Sequence, residues 1–337
     1  RFPVLWNLWY VSFTRADYTA ALAAAERLMA TAEHSGDSNL KMEGHHALWP
    51  TLASMGRPLQ ALAHTHRGLA LYSPEHGAAH RYMYGGHDPG VCGHMHVALA
   101  SWLAGFPERA LREREEALRL AHRIDHPLTT TMALFHTGTV LYLCGEREGA
   151  GEQFERDQAL AQEYGFSRWI DLSAIPSHMR TGAGAAALAE MRRWLDSTRV
   201  ASWHLAVSAC ALAELLAEAG RAEDAALLLR SFGGRSLAHC LGPEILRLES
   251  AIRLRAVAPD HAAAEAAFRK AIELARGQDS RSLELRAATD LARLLAAQGR
   301  REEARHILRE IYGWFTEGFN TADLRSARLL LDELGPG

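Results

Sequence analysis

Lysine is almost missing from this chain. Only Lys41 and Lys270 stand among 37 basic residues, a bias toward arginine that reads as genomic base composition. With 40 acidic residues the net charge is −3, so bulk attraction to phosphate is excluded and nucleic acid is not a default partner. Cysteine is scarce too. Cys92, Cys144, Cys210 and Cys240 form no Cys-x-x-Cys pair and no spacing typical of a disulfide framework, which fits a reducing cytoplasm. No apolar run approaches the roughly 20 residues that span a bilayer. There is no strand signal, and no Gly-rich phosphate loop between a strand and a helix, so a nucleotide-binding fold within the chain is excluded. The chain starts at Arg1 without an initiator Met or a signal peptide, and Phe2-Pro3-Val4-Leu5-Trp6 already reads as core. The expectation is a segment cut from a longer polypeptide.

What the chain does have is alanine, leucine and a repeat. Proline is limited to 11 positions, and 48% of residues are hydrophobic against 23% charged. That composition favours helix with enough apolar surface for a continuous core. Glycines end helical patterns at Gly56, Gly105, Gly145, Gly182, Gly220 and Gly299, and an alanine follows five residues later at Ala61, Ala110, Ala150, Ala187, Ala225 and Ala304. A further copy reads through Arg15 and Ala20, and a degenerate one through Ala258-Pro259-Asp260. The period is about 40 residues. Glycine can take positive φ and close the first helix of a pair; the small alanine lets the second helix approach it. Leucines at spacings of three and four, such as Leu212, Leu215 and Leu216, mark a stripe that one helix pair cannot bury alone but stacked pairs can. The predicted fold is all-α: a right-handed α-solenoid of about eight tetratricopeptide-like helix pairs. Their approximate bounds are 4–37, 38–72, 88–125, 127–165, 166–197, 199–232, 241–277 and 280–312, with a terminal helix at 321–334 and an inserted loop at 73–90.

That insertion is the longest break in the repeat, and insertions in solenoids emerge on one face, often the binding face. Asp88-Pro89 reads as N-cap and first helical residue, with His87 just outside. Nine of the 18 histidines lie between His45 and His96, and many aromatics share this half. His45, His46, Trp49, Tyr82, Tyr84, His87, Asp88 and Trp102 are the candidates for contact with a ligand or partner. Cys92 and His96, four apart, share a helix face, whereas His94 does not. His87, Cys92 and His96 are therefore the candidate ligands of a soft metal ion, although no compact motif such as His-Glu-x-x-His is present. Asp88 is placed to orient His87 for catalysis, but no nucleophile with a matched base accompanies them. The run Arg300-Arg301-Glu302-Glu303-Ala304-Arg305 reads as a solvated helix face. Pro176 should end or kink a helix and disturb the fifth pair.

Three stretches carry a family resemblance. They are Leu71-Tyr72-Ser73-Pro74-Glu75 leading to Tyr84-Gly85-Gly86-His87-Asp88-Pro89-Gly90-Val91-Cys92, then Ser282-Leu283-Glu284-Leu285-Arg286-Ala287-Ala288-Thr289 with Leu291-Ala292-Arg293-Leu294, and Tyr312-Gly313-Trp314-Phe315-Thr316-Glu317-Gly318-Phe319 with Asp323-Leu324. Through them the chain resembles the C-terminal tetratricopeptide-like region of bacterial multidomain proteins that carry a class III adenylate/guanylate cyclase or other effector domain and a STAND-type AAA-like ATPase. The likeness runs along essentially the whole chain and departs at about 168–190. It implies a cytoplasmic, non-catalytic sensor or protein-interaction scaffold that regulates an upstream ATPase or cyclase module in cis. It implies no cofactor for this segment; the partner would be a protein, a peptide or a small ligand on the concave face, with neither nucleic acid nor membrane involved. Two other readings compete. One is a metal- or small-ligand-binding site, possibly enzymatic, in the His-rich 73–96 stretch; the other is a purely structural role in holding an oligomer together.

Overall fold

A computed structural model describes residues 2–197, 202–233, 239–255 and 259–335. The N-terminal half runs through α1 (Phe2–Thr14), α2 (Tyr18–Ser35), α3 (Ser38–Ser54), α4 (Pro58–Leu69), α5 (Pro74–Met83), α6 (Pro89–Ala104), α7 (Pro107–Ile124), α8 (Pro127–Leu143) and α9 (Arg147–Tyr164). It continues with α10 (Ser167–Ala174), a short 3₁₀ turn (Pro176–Met179), α11 (Ala185–Ser197), α12 (Trp203–Glu218), α13 (Ala222–Gly233), α14 (Gly242–Arg253), α15 (His261–Gly277), α16 (Arg281–Ala297), α17 (Arg301–Tyr312) and α18 (Ala322–Leu334). Among the described residues there is no strand, and no helix is long and apolar enough to cross a membrane.

Five of the six repeat glycines end the first helix of a pair as expected; Gly182 instead follows the 3₁₀ turn of the fifth pair. All six have positive φ, from 69° at Gly56 to 95° at Gly105. Ala61, Ala110, Ala150, Ala225 and Ala304 have no exposed surface, so a larger side chain there would push paired backbones apart. Ala187, in the disturbed fifth pair, is half-buried, and Pro176 starts a 3₁₀ turn just after α10 ends. The copy expected at Arg15 and Ala20 is displaced by one residue. Ala16 takes φ of 58° and Ala21 is buried, whereas Ala20 is exposed. Its register is set by Asp17, whose carboxylate caps α2 by accepting the amide of Ala20. Ala258 and the expected repeat start at 199 lie outside the described residues. The 73–90 segment is largely helical: α5 fills it, and Gly85 and Gly86 turn the chain into α6.

Two kinds of helix result. The second helices, such as α7 and α17, are amphipathic and show one face to solvent. At the start of α17, Arg300 pairs with Glu303 and with Glu265 of α15, so the charged residues of the run form a partly exposed, ion-paired face. The first helices, α3, α6, α8 and α12, are buried nearly all round; in α6 every residue but His94 is buried. Their inner face is covered because the superhelix curls until its later pairs rest on its earlier ones. The amide of Cys240 donates to Ser54 O (2.9 Å) at the α3–α4 turn. Ser282 at the start of α16 donates to Trp102 O, and Phe106 packs on Trp314 with ring centroids 5.5 Å apart. Glu108 accepts the amide of Gly318, and Glu317 accepts that of Arg109, both at 2.9 Å. Stacked coils of this kind leave cavities between them.

Candidate functional site

One such chamber lies in the N-terminal half, with a volume of about 120 Å³. Its walls come from α1 (Trp9, Phe13), α3 (His46, Pro50), the Gly85–His87 turn, α6 (Cys92, His96), α8 (Met132, His136), α10 (Arg168, Trp169) and α12 (His204). A second chamber, about 460 Å³, lies between α12, α14, α16 and α18. Its charges answer one another. Glu244 pairs with Arg247 (2.8 Å) and Arg286 (2.9 Å), Arg247 with Asp290 (2.6 Å), and Arg286 with Asp323 (2.9 Å). Burial would raise the Glu244 carboxyl, but the two guanidinium groups outweigh it and hold it at about 2. The second chamber is lined mostly by paired charges, with burial raising the Glu214 carboxyl beside them.

The first chamber is organised by Glu43, a fully buried carboxylate on α3. One oxygen takes His46 Nδ1 at 2.9 Å, and the other takes His80 Nδ1 of α5 at 2.5 Å. His87 Nδ1 lies 3.0 Å from Gly85 O. A carbonyl only accepts, so His87 Nδ1 carries the hydrogen and Nε2 presents a lone pair. That Nε2 faces His46 Nε2 at 3.1 Å. Cys92 Sγ closes the group: one ligand-type atom from each of His46, His87 and Cys92 lies within 4.8 Å of the others, and all three residues are buried. Burial opposes charge on His46 and Cys92, yet each overcomes it. The Cys92 thiolate and Glu43 raise His46 to about 10, while His96, His46 and His87 draw the Cys92 thiol well below its ordinary range. Across the chamber, burial, together with the neighbouring His96, lowers His136 to about 3; burial likewise holds His204 neutral. His204 Nδ1 is buried with no hydrogen-bond partner.

The candidates divide accordingly. His46 and His87 line the chamber. Trp49 is core, stacked on the His46 ring with centroids 4.9 Å apart, and Tyr84 is buried against Phe2 and Trp6. Trp102 is buried beneath Arg286 of α16, and Tyr82 is 93% exposed on α5, away from the others. His45 is half-buried and meets His64 of α4 at 3.0 Å. Asp88 is the N-cap of α6, accepting from Gly90 N and Val91 N, and is further held by Arg81 and Tyr72. Among the described residues no hydrogen bond joins its carboxylate to the His87 ring. Of the expected metal ligands, His87 and Cys92 come together, but His46 takes the third place. His96 stays beside Cys92 but outside the group, its Nδ1 donating to Cys92 O at 2.8 Å and lying 3.5 Å from Cys92 Sγ. His94 points outward to Glu113, as its spacing predicted. Glu43, His136, His204 and Trp169 were not legible as site residues. Glu43 alone left a signal, three residues before His46 on one helix face.

Comparison with known proteins adds the following. No family model matches the chain. A bacterial relative, uncharacterized protein R02095 of Rhizobium meliloti (strain 1021), is 25% identical over 316 residues, covering 89% of this chain and 29% of that protein. The chain thus spans less than a third of the curated relative it matches. Among solved structures, the Rap conjugation gene regulator of plasmid pLS20, in complex with the Phr* peptide, aligns over 99% of this chain and 95% of its own, with 10% identity and a TM-score of 0.52. This chain is an α-solenoid of tetratricopeptide-like helix pairs. A Rap protein complexed with competence and sporulation factor aligns over 97% of this chain and 74% of its own, at 12% identity and a TM-score of 0.44.

Proposed function

We propose that this chain is a non-catalytic sensor and interaction scaffold, that the His/Cys chamber is its ligand site, and that it controls an upstream STAND-type ATPase or nucleotide cyclase module in cis. The observation that carries the reading is the position of the chamber. Its walls are drawn from six helices, α1, α3, α6, α8, α10 and α12, so an occupant touches six successive helix pairs at once. Those pairs also carry the contacts that close the superhelix on itself. A ligand with different affinity for the closed and relaxed coils would shift the balance between them, and that is what a switch requires. At 120 Å³ the chamber is far below the roughly 300–1,000 Å³ of drug-sized sites, which favours an ion or a few-atom ligand over a peptide. A protein or peptide partner would take the outer surface. The cis module is supported by the likeness to cyclase- and ATPase-bearing proteins and by the much greater length of the R02095 relative.

The test uses the full-length polypeptide. Nucleotide hydrolysis and cyclisation are measured for the wild type and for Trp169→Ala and His136→Leu, which reshape the chamber. Changed rates in variants that keep their helical content support the reading. Unchanged rates overturn the chamber as a control site, and a polypeptide that does neither reaction overturns the cis module.

A further inference from the structure

We infer that the chamber is a transition-metal site in which His46 Nε2, His87 Nε2 and Cys92 Sγ bind one borderline or soft ion of the zinc type, with Glu43 as positioning residue. The inference deepens the sensor reading and rests on it for its biological role, but not for its chemistry.

The geometry points there in four ways. First, both imidazoles are turned by hydrogen bonds at Nδ1, His46 to Glu43 and His87 to Gly85 O, so both Nε2 atoms face inward. A carboxylate or carbonyl on the far nitrogen is the usual support of a metal-bound histidine. Second, with both Nδ1 atoms committed to acceptors, the two Nε2 atoms 3.1 Å apart converge on one position that either a shared proton or one metal cation can bridge. Two nitrogens at 2.0–2.1 Å from a tetrahedral ion stand about 3.3 Å apart, so a small rotation of the rings suffices. Third, Cys92 is held on α6 by the Asp88 cap and supplies the soft donor that excludes magnesium and calcium, which take oxygen ligands. Fourth, all three residues line the same cavity, so the fourth position opens into space walled by His96, His136 and His204. Three protein ligands with one open position is the arrangement of a site that exchanges a small ligand, and not of a closed structural one.

The experiment uses tag-free protein stripped with chelator and titrated with Zn(II), Co(II) or Mg(II). The expected result is one equivalent of zinc by elemental analysis, a raised thermal midpoint with zinc but not magnesium, and a thiolate-to-cobalt charge-transfer band in the near ultraviolet. That band disappears in Cys92→Ser and His87→Ala and persists in His94→Gln. Glu43→Gln keeps the band but weakens cobalt affinity by about 10–100-fold. Wild-type protein that takes up no zinc, or a cobalt spectrum without the thiolate band, overturns the site whether or not any variant folds. If zinc does not bind while chamber variants still alter the full-length activity, the metal fails and the sensor reading stands. If zinc binds and activity never responds, the reverse holds.

Discussion

Arg286 lies over the indole of Trp102, its guanidinium carbon 4.9 Å from the ring centroid, although one residue is on α16 and the other on α6. The same guanidinium donates to Leu143 O and pairs with Glu244 and Asp323. It is thus a clasp between the later and earlier coils. Arg286→Met should cost about 3–5 kcal/mol, because it strands Asp323 and leaves the buried Glu244 with Arg247 alone. Arg286→Lys should recover only part, since an ammonium lacks the planar fork. Urea unfolding followed by circular dichroism measures both; a loss below 1 kcal/mol in the Met variant would refute the clasp.

The coil contact can also be probed without charge. A Cβ on Gly318 would come within 2.1 Å of Pro107 Cγ, whereas one on Gly299 would meet nothing within 4 Å; both glycines have φ near 80°. Gly299→Ala should cost only the left-handed backbone term, roughly 1–2 kcal/mol. Gly318→Ala should cost roughly 2–5 kcal/mol and open the superhelix. Thermal unfolding gives the difference, and an increased radius of gyration in small-angle scattering marks the opening.

Asp88 is predicted to matter for folding and not for chemistry. Asp88→Ala removes the cap of α6 and leaves Arg81 without its carboxylate, a loss of roughly 2–4 kcal/mol. Asp88→Asn keeps a capping oxygen and should lose less. Equal losses in the Asn and Ala variants, read from denaturant midpoints, would show that the ion pair and not the cap dominates.

His239 offers a pH test remote from the chamber. Its Nδ1 accepts the amide of Leu241, its Nε2 is buried without a partner, and burial lowers its pKa to about 4. Below its ordinary 6.5, the unfolded chain takes up a proton that the folded chain refuses. Stability from this residue is therefore full above about 6.5 and falls as pH drops toward about 4, by about 1.4 kcal/mol per pH unit. His239→Asn retains an acceptor for Leu241 and should flatten that slope. Parallel wild-type and variant curves between pH 6.5 and 4 would contradict the assignment.

Local features determined the pairing of helices. A glycine that ends one helix, an alanine five residues on and leucines at helical spacing act within one or two turns, so the repeat was readable from residue order, as was the Asp88-Pro89 start of α6. The same local logic placed His94 outside and His87 beside the helix start. It misassigned Ala20, where Asp17 shifts the register by one residue. What the residue order did not contain is how far the superhelix curls. That depends on many small rotations between successive pairs, and it decides that α6 and α8 are buried all round, that Trp102 lies under Arg286, and that the concave face is divided into chambers. It also decides the site. Cys92 and His96 are neighbours on one helix, yet His96 spends its Nδ1 on its own helix backbone, while His46, from a different pair, turns its free nitrogen toward His87. Glu43 directs that ring from three residues earlier on the same helix face, whereas only tertiary packing brings His80 of α5 onto its other oxygen.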